Sequence, residues 1–268
     1  MTSTDPWATI TEASAESQAN LGGILELRAA DAQQQAMLRA YLSDVRFRLG
    51  AQVLEVGCGT GAVTRVLSDW PDVSSVVGLD PSPVLLAEAR KRNTGSASTV
   101  FSVGDGRELA FPDGGFDVVV MHTLLCHVPD AERCISEANR VLRAGGQLAI
   151  FDNDVMTMTV ATTDADALQM CVAALVATVQ NPWLTRNLPQ LVRANGLRVE
   201  RLRSFGYVET HDGYFLTVVD RGADLLRESG QLSPHEAEEC KLEARQRIAA
   251  GDFFGHMAYA SLIASKAQ

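Results

Sequence analysis

The chain has 268 residues, 46% of them hydrophobic, which is enough for one large α/β domain or two small ones. Its net charge of −10 disfavours nucleic acids and anionic membranes as partners, because a negative surface repels phosphate. Five cysteines without a CxxC pair predict neither a disulfide framework nor a metal site, and we therefore expect a cytoplasmic protein. No segment has the character of a signal peptide or a membrane span.

The first part of the chain divides into a polar segment and a helical one. Residues 1–17 are polar and acidic, and we expect them to be disordered or loosely attached. Apolar residues recur at helical spacing over residues 21–49, which predicts helices. We interpret residues 1–49 as a helical lid that covers a ligand site; a homodimer interface is the alternative use of these apolar faces.

The next hundred residues alternate between short apolar runs and helical patterns. The runs that predict strands cover residues 53–56, 76–79, 100–103, 116–121 and 147–151. Between them, Ser82 precedes Pro83 as the N-cap of one predicted helix, and Asp130 is the N-cap of another. This alternation predicts parallel βαβ units in a doubly wound α/β sheet, with a ligand site at the carboxyl ends of the strands.

The last part of the chain is less regular. We predict helices over residues 164–179, 188–194 and 213–250, and strands over residues 197–205 and 253–265. The simplest interpretation is one core over residues 50–268, with helical insertions at about 155–186 and 207–252.

A glycine-rich loop follows the first predicted strand. Its sequence is Gly57-Cys58-Gly59-Thr60-Gly61, and Glu55 precedes it. The spacing is GxGxG rather than the GxGxxG that seats a pyrophosphate on a helix N-terminus. A carboxylate beside the loop favours a ligand with a cationic amino group and disfavours a nicotinamide dinucleotide. A tight βα turn without a ligand is the alternative.

The next two strands also end in acids. Asp80, followed by Pro81, lies about 20 residues after the glycines, where an acid can accept two ribose hydroxyl groups. Asp105 with Gly106 ends the third strand, where a carboxylate can accept an exocyclic amine of adenine. The alternatives are a helix cap for Asp80 and a common Asp-Gly turn for Asp105.

The fourth strand ends at residue 121, so His122 and Thr123 lie on the rim of the expected site, where we predict cofactor or substrate contacts. His127 follows about one helical turn later, and a structural role suits it better than catalysis. No catalytic residue is assigned. The candidates for such a role are His122, His127, His211, Tyr214 and His256.

The order of these motifs resembles the class I S-adenosylmethionine-dependent methyltransferases, and among them the ubiquinone/menaquinone-biosynthesis type that acts on small molecules. The resemblance covers roughly residues 52–152. It implies a Rossmann-like sheet of seven strands, whose antiparallel last strand lies within residues 253–265. It also implies that Glu55 and Gly57 lie near the methionine part of the cofactor, Asp80 near the ribose, and Asp105 with Gly106 near the adenine.

The resemblance further implies that Arg28 in the lid reaches the cofactor's carboxylate, although a solvated helix face explains this arginine equally well. The expected function is methyl transfer to a small, hydrophobic or aromatic metabolite. Two alternatives remain open: a non-methylating enzyme that uses the same cofactor for a rearrangement or cyclisation, and a regulatory protein that only binds it. The sequence names neither the acceptor nor the atom that is methylated.

Overall fold

The computed structural model describes residues 5–93 and 98–268. Within them, seven strands form one sheet in the order β3-β2-β1-β4-β5-β7-β6. The strands are β1 (Ala51–Val56), β2 (Val73–Asp80), β3 (Thr99–Val103), β4 (Phe116–His122), β5 (Leu142–Thr159), β6 (Leu197–Glu209) and β7 (Gly255–Lys266). The predicted Rossmann-like α/β fold is confirmed, and every predicted strand overlaps an observed one, although β7 begins at Gly255 rather than at residue 253.

Nine helices are present among the described residues. They are α1 (Ala15–Ala30), α2 (Ala32–Leu42), α3 (Ala62–Ser68), α4 (Pro83–Arg92), α5 (Ala131–Val141), α6 (Leu168–Val176), α7 (Leu184–Ala194), α8 (Tyr214–Glu228) and α9 (Pro234–Ala250). The two predicted N-caps are confirmed: Ser82 accepts a hydrogen bond from Leu85 N–H, and Asp130 accepts one from Arg133 N–H, both at 3.0 Å.

Strand directions follow the expected pattern. β1 pairs in parallel with β2 and β4, and β5 pairs in parallel with β4. β7 is antiparallel to both of its neighbours, β5 and β6, as the resemblance implied. From β1 the chain adds strands first on one side, to β3, and then on the other side, from β4. A doubly wound fold opens a crevice for a ligand at this point between β1 and β4.

Both faces of the sheet are covered. Val118 and Val120 of β4 face a cluster that includes α2, α6, α8 and α9, while Val119 and Met121 face a cluster that includes α5 and α7. All four side chains are buried. Burial on both faces explains why β4 is a continuous apolar run, as is typical of parallel strands.

Residues 5–14, here called the N-terminal strap, correct one expectation. We expected residues 1–17 to be disordered, yet Asp5 and Ile10 are buried and a short 3-10 turn covers Ile10–Glu12. The strap is polar overall, but the Asp5 carboxylate accepts hydrogen bonds from the N–H groups of Trp7 and Gln180, both at 3.0 Å. The prediction was therefore wrong for residues 5–17, and residues 1–4 lie outside the described ones.

Helices α1 and α2 also make polar contacts with the core, in addition to the apolar packing of α2. Gln18 accepts a hydrogen bond from Ser82 at 2.6 Å, and Gln34 donates to Tyr259 at 2.9 Å. The helical part of this segment ends at Leu42 rather than near residue 49. The division into a lid of residues 1–49 and a core with two insertions stays a prediction. No described helix has both the length and the apolar character to cross a membrane.

Candidate functional site

The glycine loop requires its glycines. Gly57, Gly59 and Gly61 have φ angles of +74°, +52° and +76°, in the left-handed region that glycine adopts without a steric penalty. A Cβ atom on Gly59 would lie 2.5 Å from Cδ1 of Leu25 in α1. The Leu25 side chain of α1 therefore lies directly on the loop and would have to move for a larger residue at position 59, which the φ angle also disfavours.

Glu55 is buried in β1, beside the loop. Thr64 in α3 donates a hydrogen bond to its carboxyl group. Burial raises the pKa of Glu55 from 4.5 to about 8, against the opposing effect of the Thr64 hydrogen bond. A cation placed next to Glu55 would favour the ionised form, so this position suits a positively charged ligand group.

Asp80 holds the loop as well as facing the site. Its Oδ2 accepts the N–H of Gly59 and its Oδ1 accepts the N–H of Ser82, both at 2.9 Å. The side chain is buried, and burial raises its pKa. Each carboxylate oxygen can accept a second hydrogen bond, so the predicted contacts with ribose hydroxyl groups remain compatible with this geometry.

Asp105, two residues after the end of β3, is paired with Arg107. Arg107 donates two side-chain hydrogen bonds to Asp105 Oδ2, at 2.6 and 3.0 Å, and this pairing lowers the pKa of Asp105. An adenine amine would therefore share the carboxylate with Arg107. The neighbouring Gly106 lies against β1, because a Cβ atom there would be 2.6 Å from Cγ1 of Val56.

His122 is a half-buried histidine at the end of β4. Its Nδ1 lies 3.1 Å from the Tyr41 hydroxyl, and its ring stacks on Phe151 at 4.8 Å between centroids. Burial, together with the charge of Arg28, lowers the pKa of His122 to about 3. Thr123 follows with a φ of +48°, so the backbone turns sharply where β4 meets the site.

Arg28 projects from α1 into the interior. Its guanidinium lies 5.1 Å from the ring centre of Tyr214 and donates to the Tyr259 hydroxyl at 3.3 Å. Its Nε is buried and has no hydrogen-bond partner among the described residues, and none of their carboxylates forms an ion pair with it. A buried cation without an acid is costly, so this position suits an anionic ligand group.

Three cavities meet at Arg28. The acidic cavity, of about 220 Å³, includes Asp80 and Asp105. The α2 cavity, of about 610 Å³, lies between α2 and α3 and includes Glu55. The α8 cavity, of about 720 Å³, is enclosed by the strap, α1, the far end of β5, α6 and α8. Arg28 lines all three cavities. A ligand that occupies the acidic and α2 cavities would therefore lie next to the α8 cavity.

The remaining candidate residues differ in whether they line these cavities. Tyr214 lines the α8 cavity, and His127 lines both the α8 and the acidic cavities. His211 is largely exposed, 4.0 Å from Asp31, and His256 in β7 stacks on Phe254; neither lines the three cavities. Four residues near the site were missed because their types and spacing carry no signal: Asp5, Trp7, Tyr41 and Arg107.

The comparisons with known proteins agree with this geometry. Residues 54–150 match the family described as a methyltransferase domain. The demethylmenaquinone methyltransferase of Staphylococcus aureus strain JH9 is 35% identical over 130 residues, which are 48% of this chain and 54% of that protein. An uncharacterized methyltransferase of Schizosaccharomyces pombe is 32% identical over 114 residues, 40% of this chain and 41% of that protein. The chain thus spans about half the length of the curated relatives it matches.

Solved structures share the fold. The YcgJ protein of Bacillus subtilis has a TM-score of 0.62 at 20% identity and covers 87% of this chain and 99% of its own. The phosphoethanolamine N-methyltransferase 2 of Haemonchus contortus, in complex with S-adenosylmethionine, has a TM-score of 0.59 at 17% identity, over 100% of this chain and 61% of its own. The [4+2]-cyclase SpnF has a TM-score of 0.55 at 21% identity, over 87% of this chain and 81% of its own. The predicted resemblance to class I methyltransferases of the ubiquinone/menaquinone-biosynthesis type is confirmed.

Proposed function

We propose that this chain, which carries a class I methyltransferase domain, binds S-adenosylmethionine and transfers its methyl group to a small hydrophobic or aromatic molecule. One observation carries the proposal. The buried Glu55 lines the α2 cavity next to the glycine loop, together with Arg28, whose buried Nε has no hydrogen-bond partner among the described residues. An acid and a base at this position complement the ammonium and carboxylate of an amino acid, which a nicotinamide dinucleotide lacks.

The residues present fit this cofactor along its whole length. Glu55 and the loop at Gly57 would hold the ammonium of the methionine part, and Arg28 its carboxylate. Asp80 would hold the ribose, and the turn at Asp105 and Gly106 the adenine. The remaining predicted contacts lie around the same loop and strand ends: Cys58, Gly59, Gly61, Pro81, His122 and Thr123.

When bound, S-adenosylmethionine supplies a methyl group that is already electrophilic, on a positively charged sulfur. The chain's own task is then to position the acceptor and to exclude water. The strap and α1 cover the site from one side, and α8 covers it from the other. Arg28 contacts Tyr214 of α8 and so connects the two sides.

The α8 cavity is the proposed acceptor site. Its volume of about 720 Å³ falls within the range of ligand pockets for small molecules. About half of its lining residues are polar or charged, and they include Glu12, Arg28, Asn153, Tyr214, Thr217 and Arg221. The apolar side chains that line it include Leu21, Ile24, Val155, Met158, Val176 and Val218. The apolar part of this lining supports a hydrophobic or aromatic acceptor.

Two measurements test the proposal. Calorimetry with S-adenosylmethionine, S-adenosylhomocysteine and NADH, each titrated into the same preparation, is expected to give micromolar or tighter binding of the first two alone. The absence of heat and of a thermal shift at millimolar S-adenosylmethionine would overturn it. Release of S-adenosylhomocysteine with aromatic acceptors is the second measurement. Binding without release would favour the rearrangement or regulatory alternatives.

We also propose that the protein works in the cytoplasm on small molecules rather than nucleic acids. The five cysteines are buried and unpaired, as in a reducing compartment, and the net charge is −10. The apolar faces of the added helices leave a homodimer as a further proposal. Sedimentation at micromolar concentration, with and without S-adenosylhomocysteine, measures whether it forms.

A further inference from the structure

The N-terminal strap contributes a buried carboxylate to the site. Asp5 is 1% exposed, and its Oδ2 lies 2.8 Å from Nδ1 of His127. The same oxygen accepts the N–H of Gln180, and Oδ1 accepts the N–H of Trp7. Although burial raises the pKa of Asp5, its contacts with His127 and these backbone groups lower it overall, so the carboxylate is held in the ionised form.

His127 occupies the boundary between the two proposed ligand sites. Its side chain lines both the acidic cavity and the α8 cavity, and Trp7 of the strap lies 6.0 Å from its ring. The side chain is 18% exposed, so it is neither locked in the core nor free in solvent. A histidine at this boundary lies between the proposed cofactor and acceptor positions.

We propose that Asp5 and His127 form a proton-accepting pair that serves acceptors with a hydroxyl or amine nucleophile, an inference that rests on the proposed methyl transfer. The ionised Asp5 accepts the proton on Nδ1 and so fixes the tautomer in which Nε2 carries a lone pair. Asp5 is then a positioning residue, and His127 is the catalytic residue. The sequence favoured a structural role for His127, because the partner that orients it lies 122 residues away.

In the proposed reaction, the X–H bond of the acceptor breaks, where X is its hydroxyl oxygen or amine nitrogen. The proton moves to Nε2 of His127. The electron pair on X forms the new bond to the methyl carbon, while the carbon–sulfur bond breaks and its pair stays on the sulfur. Asp5, whose Oδ2 lies 2.8 Å from Nδ1 of His127, is the counter-charge of the imidazolium that forms, and the imidazolium later returns its proton to water.

His122 is a poorer base for this step. Its Nδ1 contacts the Tyr41 hydroxyl, and burial lowers its pKa to about 3. A group with so low a pKa is a weak proton acceptor at neutral pH. Of the two described histidines that line the three cavities, His127 is the one with an acid next to it, and that difference selects it.

The first test needs no acceptor. Nitrogen-15 spectra of the histidine-labelled protein with S-adenosylhomocysteine are expected to show His127 protonated on Nδ1 and unprotonated on Nε2. In Asp5→Asn this preference should disappear, while His235→Gln, an exposed change on α9, should leave the His127 signals in place. A proton on Nε2 in the parent protein would overturn the proposal.

The second test uses two acceptors of the same shape, 2-naphthol and 2-naphthalenethiol. The thiol is largely ionised at neutral pH and needs no base. His127→Gln should lower kcat/KM for the naphthol by about 10²–10⁴-fold and change the value for the thiol only a few-fold. Equal losses of kcat/KM for both acceptors would mean that His127 has a structural role, and would overturn the proposed proton-accepting pair. No product from either acceptor in the parent protein would count against methyl transfer to this class, and the pair would fall with it.

Discussion

Replacing Glu55 by Gln tests whether the buried acid next to the glycine loop is held at a cost to stability. Glutamine keeps the shape of the side chain, and its amide oxygen can accept the hydrogen bond that Thr64 donates. The change removes the ionisable group alone. We expect the variant to be more stable than the parent above pH 5 and to bind the cofactor more weakly.

The magnitude follows from the shifted pKa. Burial raises the pKa of Glu55 from 4.5 to about 8, so the folded chain binds this proton more tightly than the unfolded chain does. The stabilisation is complete below pH 4.5 and is lost as the pH rises towards 8. Each pKa unit corresponds to about 1.4 kcal/mol, so the parent should lose about 3 kcal/mol of unfolding free energy from this group between pH 5 and 7.5.

Urea unfolding of the ligand-free protein at pH 5 and 7.5 measures the effect. Other groups titrate identically in both proteins, so the quantity of interest is the difference between Glu55→Gln and the parent at each pH. Glu132→Gln, an exposed change on α5, is the matched control and should parallel the parent. If the unfolding free energies of Glu55→Gln and the parent changed equally between pH 5 and 7.5, the inference that Glu55 is buried and protonated would be refuted.

Two further substitutions and one exchange measurement address the loop and the proposed lid. Asp80→Ala should weaken S-adenosylhomocysteine binding by tenfold or more in calorimetry, since it removes the ribose partner and releases Gly59 N–H, and unchanged affinity would contradict the ribose assignment. Gly59→Val should abolish binding in a folded protein, because its φ is +52° and Leu25 leaves no room; retained binding would show that the loop does not approach the cofactor. Hydrogen exchange of residues 15–42 should slow on adding S-adenosylhomocysteine, and a response confined to residues 55–61 would speak against a lid coupled to the cofactor.

The repeating part of the fold was predictable because local and global signals agree there. The central strand β4 is buried on both faces, and its residues 118–121 therefore appear as an uninterrupted apolar run. Ser82 and Asp130 were recognisable as N-caps, because such side chains accept hydrogen bonds from the N–H groups of the first helical turn. The glycine loop was equally clear, since three left-handed positions in five residues admit little besides glycine.

Contacts between distant segments were not predictable in the same way. The strap has a polar sequence, and it is held by the Asp5 carboxylate, which contacts His127 and Gln180 far along the chain, and by the buried Ile10. Composition alone therefore predicts disorder where one buried carboxylate and one buried apolar side chain provide the anchor. Arg107 is a local case: it lies two residues after Asp105, but only the turn geometry brings the two side chains together.

Arg28→Met tests the complementary half of the site. The change removes the guanidinium whose Nε lacks a partner, and it keeps most of the apolar stem. If Arg28 binds the carboxylate of the cofactor, S-adenosylhomocysteine should lose about 1.5–3 kcal/mol of binding free energy, about 10- to 150-fold in Kd. 5′-Methylthioadenosine, which keeps the adenine, ribose and sulfur but has no amino-acid end, should bind the variant and the parent alike. Arg193→Met, an exposed change on α7, is the control. Equal losses for both ligands would mean that Arg28 supports the cavity walls through Tyr214 and Tyr259 and makes no contact with the cofactor.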